Sequence, residues 1–265
     1  MNNKTTTMKF TTMGNAKKIT GLSYLGSVAS SSKIAKGLKY NEMTYILYLA
    51  PASLSGYNVC PMSTEECRTA CLTESGHNRI DVKKNAINKA RIKKTKLFFE
   101  HREFFMSWLV TEIEKAKSKA DELGYRFSVR LNGTSDIEPT RFQHNGMVLF
   151  ELFDDVQFYD YTKHPSRKLE GKTVGNYDLT FSFSSITPKP ISIKGLTNPN
   201  NSRVAVVFQK KEDIPLSFRS WEVIDGDDTD VRHIEPKNVV VALYAKGKAK
   251  KDHSGFVQIK GVHYA

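Results

Sequence analysis

The chain has 265 residues, 39% of them hydrophobic and 11% aromatic, which supports a real core and excludes broad disorder. No window approaches eighteen consecutive apolar residues, and the start lacks a charged-then-apolar secretory pattern. The expectation is therefore no membrane partner and a cytoplasmic location. A formal net charge of +12 favours polyanionic partners, nucleic acid first, with a lysine-rich solvated surface as the bland alternative.

Residues 1–18 are polar with little periodicity, which predicts an N-terminal arm or edge segment over 1–35. A single α/β domain is expected over 36–265. Residues 43–51 are apolar and rich in strand formers, so they read as a buried strand. Residues 81–123 carry apolar positions at helical spacing, and Gly124 follows as a C-cap. Forty helical residues are long for a compact domain, so a break is expected near 94–97. Strands are predicted at 125–131, 156–161, 177–183, 203–208, 220–224 and 239–245. A helix is predicted over 140–153, weakened by Asn145-Gly146.

The continuous apolar runs at 204–208 and 239–243 suit strands buried on both faces, as in a parallel sheet. The predicted fold class is α/β: a complete or partial (β/α) barrel with a mostly parallel sheet and a cysteine-bearing loop after the first strand. Pro188, Pro190 and Pro199 exclude a regular crossover helix over 186–201, which leaves a mixed α/β or α+β fold as the competitor.

The three cysteines, Cys60, Cys67 and Cys71, form a C-x6-C-x3-C cluster. An odd, clustered set without an export signal argues against disulfides and for a reducing compartment. On a helix, Cys67 and Cys71 share one face, and Cys60 reaches the same point from the preceding loop. Thiolates suit soft metals and iron–sulfur clusters. Three ligands leave one position open, for a substrate or cofactor on a [4Fe–4S] cluster. Zinc, completed by His77 or His101, is the alternative. Three buried core thiols are the bland reading.

In a barrel the active site forms at the C-terminal ends of the strands. Asn132 and Asp136 follow the strand at 125–131, and Tyr161 and Lys163 end the strand at 156–161. Asp225, Asp227, Asp230 and Arg232 follow the strand at 220–224. The four carboxylates in 225–230 suit Mg²⁺ or Ca²⁺, or else an Asp/Gly turn, or substrate positioning by Asp225, Asp230 and Arg232. No phosphate-binding P-loop, nucleophile elbow or zinc-protease motif occurs. Lys83, Lys84, Lys89, Arg91, Lys93, Lys94 and Lys96 crowd one helical stretch, and Lys246, Lys248, Lys250 and Lys251 form a second basic run. Both are candidate phosphate-backbone contacts. Phe98, Phe99, Phe104 and Phe105 follow the first run; core packing is the leading reading for them and base stacking the alternative.

The cysteine stretch, the segment Arg91-Ile-Lys-Lys-Thr-Lys-Leu-Phe-Phe99, the run from Trp221 to Arg232 and the run from Ala245 to Phe256 resemble a bacteriophage protein family. That resemblance implies a phage or mobile-element origin and a host-cell cytoplasmic location, but no settled activity. A cysteine triplet after the first barrel strand is also similar to the radical S-adenosylmethionine superfamily. There the open iron of the cluster binds S-adenosylmethionine, which would make Cys60, Cys67 and Cys71 the cluster ligands. The spacing departs from that superfamily's C-x3-C-x2-C, and Arg130-Leu-Asn-Gly-Thr-Ser135 matches its glycine-rich motif poorly. Two further readings stand beside the enzyme: a non-enzymatic nucleic-acid-binding protein with a structural cluster or zinc, and a protein whose basic surface engages an acidic host protein.

Overall fold

A computed structural model describes residues 8–28, 32–69, 85–164, 167, 175–185 and 203–265. In chain order the elements are α1 (Met13–Thr20), β1 (Gly26–Ser27), α2 (Ser32–Leu38), β2 (Glu42–Leu47), α3 (Glu65–Thr69), α4 (Ala86–Glu100), α5 (Arg102–Glu122) and β3 (Arg126–Arg130). There follow β4 (Gln143–His144), β5 (Met147–Val148), α6 (Leu149–Leu152), β6 (Gln157–Thr162), β7 (Tyr177–Ser182), β8 (Arg203–Phe208), β9 (Ser217–Phe218), β10 (Trp221–Asp225), β11 (Val239–Tyr244) and β12 (Val257–Gln258).

Seven strands run parallel in the order β2-β3-β6-β7-β8-β11-β10. They are the seven stretches whose apolar content predicts strands. The two-residue strands β1 and β9 add antiparallel at the edges, and β12 pairs with the end of β8.

A flat sheet would put β10 six spacings, about 29 Å, from β2. Yet the Tyr40 hydroxyl, just before β2, hydrogen-bonds Asp228, just after β10, and the Lys36 amine reaches the Asp227 carbonyl. The sheet must therefore curl back toward its first strand. It does not close. Among the described residues no ladder joins β1 to β9, so the complete barrel of the sequence reading is corrected to an open, mostly parallel sheet. The physical reason is at the gap. There α2 packs against residues 226–235, with Gly37 against Val231 and Lys36 on the Asp227 carbonyl, and the segment fills the space between the edge strands.

The central strands are mostly buried on both faces, and the faces differ. Tyr45, Leu47, Val129, Leu131 and Phe158 pack against Phe104, Phe105, Trp108, Leu109 and Ile113 of α5 in one large core. The opposite, inner face carries Glu42, Thr44, Ser128, Arg130, Tyr159, Thr180 and Arg203, all buried and mostly polar. Residues 229–235 cover it: His233 Nε2 lies 3.2 Å from Glu42 Oε1, and its ring packs on Tyr159.

Three local expectations are corrected. The helical break falls at His101, with φ −134°, rather than at 94–97. The chain stays helical through 94–97 because Leu97 and Phe98 enter the core while Thr95 Oγ1 accepts Ala50 N at 2.8 Å. Over 140–153 the Asn145-Gly146 pair takes positive φ at both residues, 51° and 81°, and makes the β4–β5 hairpin turn. What remains helical there is a 3-10 turn at Pro139–Arg141 and the four-residue α6. Third, α1 forms where no periodicity pointed to it. Thr12 Oγ1 accepts Asn15 N, Gly21 closes the helix at φ 68°, and Phe10 packs on Phe104 and Trp108. Gly124, at φ 73°, ends α5 as expected.

Candidate functional site at the C-terminal ends of the strands

The loops after β2, β3 and β6 meet at one mouth. After β2 the chain turns back on itself, with Val59 N donating to Ala52 O, and then delivers Cys60. Asn58 Oδ1 accepts Cys60 N at 3.0 Å, and Ser63 Oγ donates to Cys60 O at 2.7 Å. Thr64 Oγ1 accepts Cys67 N at 3.2 Å, in the first turn of α3. Cys60 and Cys67 are both half-buried. Cys60 Sγ lies 4.0 Å from Thr134 O in the loop after β3, and Asp136 N donates back to Val59 O at 2.8 Å. Cys71 and His77 lie outside the described residues. Among the described residues no group of three or more His, Cys, Asp or Glu side chains gathers as a metal site.

Lys163 enters from the end of β6. Its backbone N–H donates to Asp136 Oδ2 at 2.9 Å, its amine donates to Ser182 O at 3.2 Å, and the amine lies 5.0 Å from the Phe256 ring centre. Burial lowers the Lys163 pKa, while the charges of Cys67 and Asp136 oppose that shift. Cys67 is thus close enough to Lys163 for their charges to couple. Asp136 Oδ1 also pairs with the buried Arg167 Nη1 at 2.9 Å. Asn132 shapes its own loop. Its amide Nδ2 donates to Asp160 Oδ2 and Ile137 O, and its Oδ1 accepts Ser135 Oγ and Ile137 N. Burial pushes the Asp160 carboxyl up to about 6, against the pull of Arg130 and its hydrogen bonds from Tyr177 and Asn132.

Below the mouth, the inner face brings Tyr161, Asp230 and Arg232 together with two residues the sequence reading missed, Arg130 and Glu235. Arg232 Nη2 donates to Gly226 O at 2.7 Å and Nη1 pairs with Glu235 Oε1 at 2.5 Å. The Arg130 guanidinium sits 4.8 Å from the Tyr161 ring centre, and its Nε is 3.8 Å from Asp160 Oδ1. Arg130 is only 4% exposed, and its Nε and Nη1 make no hydrogen bond. Burial pushes the Glu235 carboxyl up to about 7, with the Arg232 and Arg203 charges pulling it down. A charged residue closing the strand at 126–130 was the available signal for Arg130. Nothing local marks Glu235.

The acidic loop does not converge on one point. Asp225 Oδ1 accepts Asp227 N at 2.8 Å, and Asp225 Oδ2 faces Lys211 at 3.4 Å. Asp227 pairs with Lys246 at 2.5 Å, Asp228 with the Tyr40 hydroxyl, and Asp230 acts on Arg130 and Arg232. The arrangement is an Asp/Gly turn whose last two polar residues, Asp230 and Arg232, point inward.

The basic residues separate. Lys83 and Lys84 lie outside the described residues. Lys89, Lys93 and Lys96 are exposed on α4. Arg91 is half-buried, 5.2 Å from the Tyr48 ring centre. Lys94 is corrected as a phosphate contact: it is buried and donates to Leu25 O at 2.6 Å, because α4 turns that position toward Glu112 and the segment after α1. Lys246 is engaged by Asp227, while Lys248, Lys250 and Lys251 are exposed. Phe98, Phe104 and Phe105 are core, as expected, while Phe99 is half-buried and stacks on Tyr57 with ring centres 4.4 Å apart. No helix among the described residues is long and apolar enough to cross a membrane.

No curated protein and no solved structure matches the chain. The expected phage resemblance is met at the level of a family model described as Gene product 88, which matches residues 8–260. That description carries no activity, cofactor or cysteine motif. The match covers nearly the whole chain, and the protein belongs to the Gene product 88 family.

Proposed function

We propose that this is a phage-type iron–sulfur protein with a radical S-adenosylmethionine-like site at the mouth of its open parallel sheet. Cys60, Cys67 and Cys71 would hold the cluster, most simply [4Fe–4S]. The observation that carries the reading is the position of Cys60 and Cys67. Both stand in the segment after the leading parallel strand, half-buried, with Lys163 entering the same mouth on Asp136 and Ser182. A neighbouring cation lowers the cost of keeping a thiolate ionised, and thiolates are the ligands a cluster needs. Once held by Cys60, Cys67 and Cys71 and reduced from outside, such a cluster would supply one-electron chemistry at the mouth. The chain's own part is to bind and orient. Arg130 offers two buried nitrogens, Nε and Nη1, to a substrate oxygen, Tyr161 and Asp230 flank it, and residues 229–235 keep water out of the inner face.

Anaerobic reconstitution with iron and sulfide tests this. The expected product is brown, with broad absorbance near roughly 400 nm, and Cys60→Ser, Cys67→Ser and Cys71→Ser each lose iron. Reductive cleavage of S-adenosylmethionine by the reconstituted protein then tests the enzyme. A colourless protein that retains zinc would favour a structural zinc site instead.

A second reading, nucleic-acid binding, is favoured by one observation. The exposed lysines Lys89, Lys93 and Lys96 recur on α4 at helical spacing, and residues 82–99 contain no acid. The two readings are compatible in one protein.

A further inference from the structure

Charge is distributed unevenly along the chain. Residues 1–41 contain seven lysines and no acid, the first acid being Glu42. Residues 82–99 likewise contain no acid. Tertiary packing joins these two stretches. Lys93 Nζ donates to Thr20 O, the last carbonyl of α1, at 2.8 Å, and Lys94 Nζ donates to Leu25 O at 2.6 Å. The C-terminal turn of α1, with exposed Lys17 and Lys18, therefore lies beside α4. On α4, Lys89, Lys93 and Lys96 are four and then three residues apart, so they share one face.

Between the two helices stands Tyr24. It is 50% exposed, and the Lys94 amine lies 4.7 Å from its ring centre. Lys94 anchors the loop at Leu25, so Tyr24 is held in place while much of its surface remains open to solvent. The nearest carboxylate, Glu112, is buried beneath the loop, where it accepts Leu25 N and Gly26 N, so the open face of the ring is bordered by cations, and such a ring has a specific use. Cations track phosphates, and the ring stacks on a base that is not already stacked in a duplex.

We propose that α1, α4 and Tyr24 form a binding surface for single-stranded nucleic acid, with Tyr24 stacking on a base and Lys17, Lys18, Lys89 and Lys96 neutralising phosphates. This rests on the nucleic-acid reading above and assigns it to one surface, away from the C-terminal basic run.

The test is fluorescence anisotropy of a labelled oligothymidylate with the full chain, at about 50 mM and about 200 mM salt. Circular dichroism and thermal melts check that each variant folds. The expected results are tight binding at low salt that weakens steeply with salt, and weaker competition by duplex than by single strand. Tyr24→Ala weakens binding about 5- to 100-fold, while Tyr24→Phe, which keeps the ring, binds like wild type. The variant Lys17→Glu/Lys18→Glu/Lys89→Glu/Lys96→Glu loses binding, whereas Lys248→Glu/Lys250→Glu/Lys251→Glu retains it. A folded Tyr24→Ala protein with wild-type affinity, or equal competition by duplex, overturns the proposal. Loss of binding only in the C-terminal variant overturns this surface while leaving the nucleic-acid reading standing. A wild-type protein that binds nothing at low salt overturns both.

Discussion

Glu235 shows how burial and pairing compete at a single carboxyl. Its neighbours Arg232 and Arg203 favour the ionised form, but burial outweighs them and holds its pKa near 7 instead of the ordinary 4.5. A folded-state pKa above the unfolded value means that the neutral form favours folding. Its contribution is complete below pH 4.5 and is lost as pH rises toward about 7. Glu235→Gln removes that dependence. Urea unfolding at pH 5 and pH 8 should show the variant gaining on wild type at the higher pH; a parallel pH response in the two proteins would refute the assignment. Glu112 is a different case. It accepts Leu25 N at 2.9 Å, Gly26 N at 3.0 Å and the Tyr45 hydroxyl at 2.6 Å. Glu112→Ala strands these buried donors and should cost about 2–4 kcal/mol, read as a lower urea midpoint at unchanged slope.

At the scale of elements, two glycines illustrate opposite requirements. Gly226 opens the turn after β10. A Cβ there would lie 2.4 Å from Val241 Cγ1 and 2.7 Å from Ala242 O, because the backbone runs tight against β11. Gly226→Ala should therefore cost more than about 2 kcal/mol, in the range of an overpacked core. Gly14 lies inside α1 with only Thr12 Oγ1 nearby, at 3.9 Å. Gly14→Ala should stabilise by about 0.5–1 kcal/mol through helix propensity. Thermal melts of the pair give opposite signs if the local geometry is as described.

For the molecule as a whole, the inner face binds the two halves of the sheet together. Arg203 on β8 pairs with Asp178 on β7 at 2.7 Å and donates from Nε to the Glu235 carbonyl at 3.2 Å, so one fully buried side chain joins two strands to the covering loop. Arg203→Ala should cost about 3–5 kcal/mol because Asp178 is left charged in a mostly buried site. The double variant Arg203→Met/Asp178→Asn should recover part of that loss. If the double variant were as unstable as the single, the cost would lie in packing rather than in the stranded charge.

All seven parallel strands were legible in the sequence, two as continuous apolar runs such as Val239–Tyr244 and the others as short stretches of strand-forming residues alternating with polar ones, patterns that need no long-range information to be seen. The hairpin at Asn145-Gly146 was misread because a short apolar run fits helix and strand equally, and positive φ at two successive residues decided between them. The sequence by itself determined the strands, the parallel α/β class, the basic charge and the candidate ligands. Tertiary structure decided that the sheet stays open, that Asp225 and Asp227 turn toward lysines while Asp230 turns inward, and that Arg130 and Glu235 join Tyr161 and Arg232. It also set Lys17, Lys18 and Tyr24 beside α4. The reason is common to all of these. Each depends on which distant segment covers a given face, and short-range patterns of hydrophobicity and charge carry no record of that partner.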